Sequence, residues 1–507
     1  MHRRTVAVAL LLASSPAAAQ DRPPRELRDL DAWIAGAVRD WEVPGLAVAV
    51  VKDDTTVFAR GYGVRALGSA ARVTPATLFA NASTTKAFTS LAVALLVDEG
   101  KLAWDDRVVD RLPALVLRDP YAARELTLRD LLSHRVGFGD PGYLWYGTDL
   151  AAAEMFRRLR FVEPQSSFRS RYAYNNVTYA AAGAIAGQAY GAGWDALVRD
   201  RILTPLGMTA TVTQGRFLPG DANVAQPHDR VRDTLRVIAG VESLVDGIAP
   251  AGAMYSNVLD MARWLRFLLR GGRIGDSALV RPGTFAELFR PQTLIPRESF
   301  YPAAGRAGAR FTAYGLGWFL HDYRGELVAM HTGSIDGYVA IVGLVPGQGL
   351  GVVVFANRDH AELRHAIMWR VFDAYLGGAG RDWSVELRAL YDSLDARQAA
   401  RRVERAAGRV RGTRPTLALD AYGGTYADSA RGLATVRVAD GRLVLSRSSF
   451  LTGTMEHWHF DTFAVRWDRG WLQPTLVTFR IGPDGTVAGA EMDGTTFGRV
   501  MTETEAR

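Results

Sequence analysis

Apolar residues in the first part of the chain follow two different periods. Residues 27–38 repeat apolar side chains at roughly helical spacing, which predicts an amphipathic helix. Residues 45–51 are apolar throughout, Asp53-Asp54 marks a turn, and residues 56–62 resume an apolar pattern. These features predict an antiparallel hairpin after the first helix.

A second predicted helix begins near Ser83, carries an apolar run over residues 91–97 and stops at Gly100. Helical patterns recur at 126–134, 179–189, 259–269 and 367–375. Short apolar runs separated by turn residues predict consecutive antiparallel strands at 314–320, 327–331, 339–345 and 351–357. Together these patterns predict an α+β fold, in which an antiparallel sheet is flanked by helices and a helical subdomain is inserted into the chain.

The last quarter of the chain changes character twice. Residues 383–410 are charged with a helical pattern, and residues 421–500 contain only strand and turn signals, enough for a small all-β barrel. We therefore divide the chain into four predicted segments. These are a signal peptide at 1–19, the α+β domain at 20–380, a helical linker at 381–415 and a barrel domain at 416–507.

Composition and the N-terminal residues narrow the protein class. Hydrophobic residues make up 48% of the 507 and charged residues 22%, the balance of a globular protein. A basic start, an apolar run at 5–13 and small residues at 17–19 indicate an export signal. A membrane anchor is disfavoured because the run is too short to span a bilayer. We expect a periplasmic or secreted protein without stable membrane insertion.

Charge and cysteine content exclude further classes. The chain has no cysteine, which removes disulfides and thiol catalysis. The formal net charge is +7, and the arginines of residues 397–414 are typical of a solvated helix face. We therefore expect a small-molecule or peptide substrate and no nucleic-acid partner. The sequence leaves the oligomeric state open.

Ser83 and Lys86 form the first candidate chemical pair. On a helix, positions three apart lie on the same face, so the amine is expected beside the hydroxyl. A serine is a weak nucleophile until a base removes its proton, and a desolvated lysine can be that base. The alternative is that Ser83 is an ordinary helix N-cap.

Tyr174 and Asn176 form the second candidate pair. A tyrosine near a cation is expected to lose its proton more easily, and an asparagine two positions on can orient the substrate and the lysine. Tyr255-Ser256-Asn257 has the same Tyr-x-Asn spacing. We favour Tyr174, because its motif lies in the helical insertion soon after Ser83, and we interpret Tyr255-Ser256-Asn257 as a loop leading into a helix.

His331-Thr332-Gly333-Ser334 is the third candidate, at the end of a predicted strand. Gly333 has no side chain, so a substrate can lie close to the strand. The backbone N–H groups of Ser83 and Ser334 would then form an oxyanion hole. The alternative is a β-turn with an incidental histidine.

In this order, Ser-x-x-Lys, Tyr-x-Asn and a basic residue followed by Thr-Gly resemble the signature of the serine β-lactamase and penicillin-binding-protein superfamily, in its class C-like branch. Supporting stretches that resemble that branch are 126–134, 205–208, 250–253 and 314–318. The resemblance covers about residues 25–380. The C-terminal segment, with Tyr422-Gly423-Gly424-Thr425-Tyr426 near its start, resembles the lipocalin-like barrel that some of these hydrolases carry.

The resemblance implies a role for each motif residue. Ser83 is the nucleophile, Lys86 the base and Tyr174 the proton relay, with the acylation base open between Lys86 and Tyr174. Asn176 and the strand residues His331, Thr332 and Gly333 bind substrate. No metal or other cofactor is implied.

His331 departs from many β-lactamases, which have lysine there. We expect it to be a weaker and pH-dependent anchor for an anion. The His-Thr-Gly form resembles D-alanyl-D-alanine carboxypeptidases, D-aminopeptidases and esterases, which favours hydrolysis of a peptide containing D-residues or a related amide. The alternatives are a carboxylesterase or weak β-lactamase, and a non-catalytic penicillin-binding-like sensor or scaffold.

Other motifs are weaker. His457 and His459 lie two positions apart on a predicted strand, but no third ligand follows at suitable spacing, so we interpret them as packing residues. We expect His134 to fix a loop by hydrogen bonds. The sequence has no Gly-x-Ser-x-Gly, Walker or His-Glu-x-x-His motif.

Overall fold

The computed structural model describes residues 23–220, 222–378 and 380–500. The predicted signal peptide at 1–19 lies outside the described residues. Within those three ranges, no helix has both the length and the apolar character needed to cross a bilayer.

The larger domain contains an antiparallel sheet of eight strands among the described residues, in the order β2-β1-β14-β13-β12-β11-β10-β9. The domain's strands are β1 (Gly45–Lys52), β2 (Thr55–Gly63), β3 (Phe79–Ala80), β4 (His228–Val231), β5 (Thr234–Val237), β6 (Tyr255–Ser256), β7 (Arg273–Ile274), β8 (Ser277–Ala278), β9 (Thr293–Leu294), β10 (Thr312–Tyr314), β11 (Phe319–Tyr323), β12 (Glu326–Ile335), β13 (Tyr338–Val345) and β14 (Leu350–Ala356). The first hairpin joins the last strand, with Leu46 opposite Ala356. The sheet is therefore assembled from both ends of the domain.

Helices cover both faces of this sheet. The helices among the described residues are α1 (Leu30–Asp40), α2 (Thr85–Asp98), α3 (Val108–Arg111), α4 (Pro120–Glu125), α5 (Leu128–Leu132), α6 (Ala152–Arg158), α7 (Asn176–Tyr190), α8 (Gly193–Val198), α9 (Thr204–Leu206), α10 (Ala249–Gly252), α11 (Val258–Leu269), α12 (Pro282–Leu288), α13 (Pro302–Ala307), α14 (Leu363–Leu376) and α15 (Trp383–Ala407). Successive strand residues point to opposite faces, and alternate residues of β1 enter different cores. Burial on both faces explains why β1 is apolar throughout.

The two cores, one on each face of the sheet, contain different helices. One core packs α2, α7 and α11 against the sheet, and the helical insertion adds to it. The other packs α1, α14 and the start of α15 on the opposite face. Trp383 begins α15, is fully buried, and stacks on Trp369 with ring centroids 5.7 Å apart. The first turn of the predicted linker is therefore part of the larger domain's core.

The C-terminal segment forms a closed antiparallel barrel. Its strands are β15 (Gly424–Asp428), β16 (Gly432–Ala439), β17 (Arg442–Ser446), β18 (Thr452–His459), β19 (Thr462–Trp467), β20 (Thr475–Ile481), β21 (Val487–Met492) and β22 (Thr495–Val500). Closure by β15 and β22 leaves the barrel without a sheet edge. Tyr422, Tyr426 and Phe479 pack together inside it. The predicted α+β domain followed by an all-β barrel is confirmed.

Candidate active site

Ser83 lies in a tight turn at the start of α2. The turn is a 3₁₀ helix at Ala82–Thr84, and the α-helix continues from Thr85. Ala82 has φ of 46°, a left-handed conformation that costs about 1–3 kcal/mol for a residue with a side chain. The surrounding core therefore holds a strained backbone immediately before Ser83.

Lys86 is fully buried, and its amine contacts three oxygens. Nζ lies 3.0 Å from Ser83 Oγ, 2.7 Å from Asn176 Oδ1 and 2.8 Å from the carbonyl oxygen of Ala251. Burial lowers the pKa of Lys86 to about 7, against an opposing attraction from Asp140. A neutral amine has two N–H donors and one lone pair. The two carbonyl-type oxygens use both donors, which leaves the lone pair for the proton of Ser83.

Tyr174 contacts the same hydroxyl from another side. Its OH lies 2.7 Å from Ser83 Oγ, and the Lys86 amine lies 4.8 Å from the centre of its ring. The expectation that a nearby cation makes Tyr174 easier to ionise differs from the structure. Burial raises the pKa of Tyr174 well above its ordinary value of 10, because a phenolate would lose its hydration. Tyr174 is therefore a protonated hydroxyl that donates to Ser83.

His134 holds Tyr174 in place. Its ring centre lies 4.4 Å from that of Tyr174 and 4.7 Å from that of Tyr314. The backbone N–H of Asn175 donates to His134 Nδ1 at 3.1 Å. Burial holds the pKa of His134 well below 6.5, so the ring is neutral and its other nitrogen carries the proton. The prediction that His134 fixes a loop is confirmed, and the loop is the one that carries Tyr174.

Asp140 is a site residue that sequence reasoning missed. Its carboxylate accepts from the backbone N–H of Asn176 at 2.8 Å and from Asn176 Nδ2 at 2.9 Å. Trp145 Nε1 donates to the same carboxylate at 3.0 Å. These contacts turn Asn176 Oδ1 towards Lys86. Asp140 lies in a loop without a motif. The only local signal is its position directly before Pro141 in a glycine-rich segment.

The strand motif lies next to Ser83 through its glycine. A Cβ atom on Gly333 would lie 2.8 Å from the backbone nitrogen of Ser83 and 2.5 Å from the oxygen of Asn81, too close for any side chain. Strand β11 pairs with β12 only as far as Met330. Residues 331–335 therefore pair with β13 alone, and their other backbone edge is free beside Ser83.

The side chains of His331 and Thr332 differ from the sequence expectation. His331 is fully buried, with Nδ1 2.7 Å from the carbonyl of Thr332 and Nε2 2.9 Å from the hydroxyl of Tyr314. Burial lowers its pKa to about 3, with repulsion from Lys86 adding to the effect. His331 is therefore neutral at physiological pH and is not a pH-dependent anion anchor. The Thr332 hydroxyl is also buried and donates to the carbonyl of Ala340.

The remaining motifs lie away from this chemistry. Tyr255 and Ser256 form β6, which pairs with β3, and the Tyr255 hydroxyl donates to the carbonyl of Glu242. Asn257 caps α11, so the segment leads into a helix as predicted, although it is a short strand and not a loop. His457 Nε2 lies 2.9 Å from the carbonyl of Phe460, a contact within the barrel.

The barrel reaches the edge of the site through Asp336, in the turn after β12. Trp471 Nε1 of the barrel and the hydroxyl of Tyr146 both donate to Asp336 Oδ2, at 2.7 and 2.5 Å. Ser449 of the barrel donates to Asp149 at 3.0 Å, and the ring of Phe450 packs edge-on against Tyr146. The barrel therefore contacts both the strand beside Ser83 and the loop that follows Asp140.

The Beta-lactamase family model matches residues 30–377, more than half of the chain. The chain belongs to the Beta-lactamase family. A second model, a domain of unknown function named DUF3471, matches residues 408–505. The resemblance drawn from the three motifs is confirmed at the level of the family.

The chain is similar to named relatives and shares its fold with a solved structure. The unguisins hydrolase ungD of Aspergillus violaceofuscus is 28% identical, over 86% of this chain and 82% of the relative. Penicillin-binding protein 4 of Amycolatopsis lactamdurans is 30% identical, over 62% of this chain and 81% of the relative. A class C β-lactamase from Rhodobacter sphaeroides shares the fold with a TM-score of 0.54 and 23% identity, covering 68% of this chain and 97% of that one.

Proposed function

We propose that this protein is a serine hydrolase that forms an acyl-enzyme on Ser83 and cleaves a peptide containing D-residues or a related amide. One observation carries the proposal. Ser83 Oγ lies within 3.0 Å of a lysine amine whose pKa is about 7 and within 2.7 Å of a protonated tyrosine hydroxyl. A base and an acid therefore contact the same oxygen, which is what acyl transfer requires.

The proposed reaction has two halves. Neutral Lys86 takes the proton of Ser83 as Oγ bonds to the substrate carbonyl carbon, and the carbonyl oxygen becomes an oxyanion held by the N–H groups of Ser83 and Ser334. The C–N bond then breaks. Lys86 returns its proton through Tyr174 to the leaving amine. In the second half, water attacks the acyl carbon as it gives a proton to the same pair. The bond between that carbon and Oγ then breaks, the pair returns the proton to Oγ, and the carboxylic acid leaves.

Two observations bear on the substrate. The free backbone edge of residues 331–335 suits an extended chain, whose own amides can pair with it. The relative ungD, which matches 86% of this chain, is named an unguisins hydrolase, and we take this as support for hydrolytic activity. The His-Thr-Gly form of the strand motif supports D-residues by its resemblance to D-peptidases.

A carboxylesterase is the second candidate, and neutral His331 favours it. A cationic group at this position would bind a carboxylate, whereas a buried neutral imidazole offers no charge. An uncharged ester needs no cation for binding, so a neutral His331 does not weaken its binding at this site. A weak β-lactamase and a non-catalytic penicillin-binding-like sensor follow as lesser alternatives.

Covalent labelling separates these possibilities. We expect a fluorescent fluorophosphonate to label the wild type and not Ser83→Ala, and a panel of D- and L-peptides, short esters and cephalosporins to rank the substrates. Equal labelling of both proteins would refute the nucleophile. Labelling without turnover of any panel member would favour the sensor.

We also propose that the protein is exported by the segment at 1–19 and acts in the periplasm or outside the cell. Its N-terminal sequence after expression with the full leader tests this. A mature chain that starts near Gln20 is expected, and an intact leader on cytoplasmic protein would contradict the proposal.

A further inference from the structure

We propose that Arg364 is a positioning residue for the oxyanion hole and acts through the peptide group between Gly333 and Ser334. This inference rests on the proposed function and adds a residue to the same site. Arg364 lies on the opposite face of the sheet from Ser83, in the first turn of α14, and does not contact Ser83, Lys86 or Tyr174 in any described hydrogen bond.

Arg364 is buried and its contacts are specific. Only 2% of the residue is exposed. Nη1 donates to the carbonyl oxygen of Gly333 and, at 2.9 Å, to the hydroxyl of Ser334. Nη2 donates to both carboxylate oxygens of Glu362, at 3.0 and 3.2 Å. A buried guanidinium without a carboxylate would be costly, so Glu362 balances the charge of Arg364 and fixes its direction.

The strand register sets the direction of the peptide that Arg364 holds. Ile335 and Tyr338 close a two-residue turn, and Ser334 lies opposite Val339. In an antiparallel pair, hydrogen-bonded and non-bonded positions alternate. Counting from the turn, Gly333 is a bonded position and Ser334 is not. The N–H of Ser334 therefore points away from β13, towards the free edge beside Ser83.

A planar trans peptide links the two atoms. The carbonyl of Gly333 and the N–H of Ser334 belong to one rigid group and point in opposite directions. The ladder partner Ala340 directs the carbonyl oxygen towards β13, and the Arg364 cation on the same oxygen holds the peptide more firmly, and with it the N–H on the other side. It also draws electron density towards the oxygen, which strengthens the N–H as a donor. Both effects favour an anion that develops beside Ser83 in the transition state.

The matched control is Arg358, in the loop between β14 and α14. Its Nη1 also donates to a backbone carbonyl, that of Trp41, and it lies within 3.9 Å of Glu42. It does not contact residues 331–335 in any described hydrogen bond or ion pair. Arg358→Gln therefore removes the same kind of contact without touching the strand beside Ser83.

The experiment compares Arg364→Gln, Arg364→Lys and Arg358→Gln with p-nitrophenyl butyrate as substrate and phenylboronic acid as inhibitor. The boronate bonds to the nucleophilic oxygen as a tetrahedral anion, so its Ki reports on the oxyanion hole. We expect Arg364→Gln to lower kcat and raise the boronate Ki by about tenfold to 100-fold, with KM changed less than threefold. Arg364→Lys should recover part of both losses, and Arg358→Gln should match the wild type.

Arg364→Gln with kcat and boronate Ki within twofold of Arg358→Gln would overturn the inference. If circular dichroism shows that Arg364→Gln does not fold, Glu362→Gln is the variant that tests the inference. It keeps Arg364 but weakens the ion pair that holds the guanidinium in place. We expect Glu362→Gln to raise the boronate Ki at least threefold, and an unchanged Ki would also overturn the inference. A wild type that takes up no fluorophosphonate would refute the proposed function itself.

Discussion

The cluster around Ser83 and the barrel contacts around Asp336 hold two sides of one site by different means. In the cluster, Lys86 is fully buried and every polar contact lies within the larger domain. At Asp336, Trp471 of the barrel and Tyr146 of the larger domain donate to one carboxylate through partly exposed side chains, and the Trp471 contact joins the two domains. Burial lowers the pKa of Lys86 in the first region and so provides a neutral amine, whereas in the second it raises the pKa of Tyr146, which stays a protonated donor to Asp336.

This difference has a simple physical cause. Removing a charged amine from water costs several kcal/mol, enough to move a pKa by units. A partly exposed hydrogen bond contributes only about 0.5–1.5 kcal/mol, because water can replace either partner. Reactivity should therefore depend on the cluster, and substrate fit on the barrel contacts.

Lys86→Ala should have the largest effect. It removes the base that contacts Ser83, and nucleophile and base act as one unit, so we expect kcat/KM to fall by about 10³-fold or more. The measurement is steady-state hydrolysis of a chromogenic ester. A fall of less than tenfold would mean that Tyr174 is the base, and the contrast between the two regions would lose its basis.

Asp140→Asn should have an intermediate effect. The amide can turn an N–H towards Asn176, which disturbs Asn176 Oδ1 and the amine that it orients, so we expect kcat to fall by about tenfold to 100-fold. Loss of the carboxylate also removes the attraction that raises the pKa of Lys86. The pH midpoint of kcat/KM should therefore move lower than in the wild type. A midpoint that stays or rises would refute the role given to Asp140.

Trp471→Phe should have the smallest effect. It keeps an aromatic ring, although a smaller one, and removes the donor to Asp336, so we expect KM to change by about twofold to tenfold with kcat nearly constant. Trp458→Phe is the matched control, since Trp458 lies on the barrel and its ring contacts Arg409. If Trp471→Phe lowers kcat more than KM changes, the barrel acts on the chemistry and the comparison fails.

The sequence predicted well where one motif fixes local geometry. Ser83 and Lys86 are three positions apart on a helix start, so their contact follows from helical spacing alone. The apolar runs of β1 and of β12 to β14 predicted the sheet, because burial leaves a direct pattern in the chain. Tyr174 and Asn176 are selected over Tyr255 and Asn257 by the position of their motif in the helical insertion soon after Ser83.

Sequence reasoning failed where burial or a distant partner determines the protonation or the orientation of a side chain. Nothing local shows that His331 lies under Tyr314 and is neutral, or that burial outweighs the cation beside Tyr174. Asp140 carries no motif, although it orients Asn176. The stretch 250–253 resembles the family branch, but nothing in it shows that the carbonyl of Ala251 accepts from Lys86. The contact between Trp471 and Asp336 spans 135 positions, and no short pattern encodes it.

The proposed activation of Ser83 depends most directly on the protonation of Lys86. Its pKa in the folded protein is about 7, below its ordinary value, so the neutral amine is present above that pH and is lost as pH falls through it. The test is the rate of Ser83 labelling by excess fluorophosphonate between about pH 5 and 10, a range that includes the ordinary pKa values of histidine and lysine. We predict that the rate rises with pH and reaches half its maximum near pH 7, and that Lys86→Ala loses this rise. A rate that is flat across the range, or that rises only near the ordinary pKa of lysine, would contradict the account.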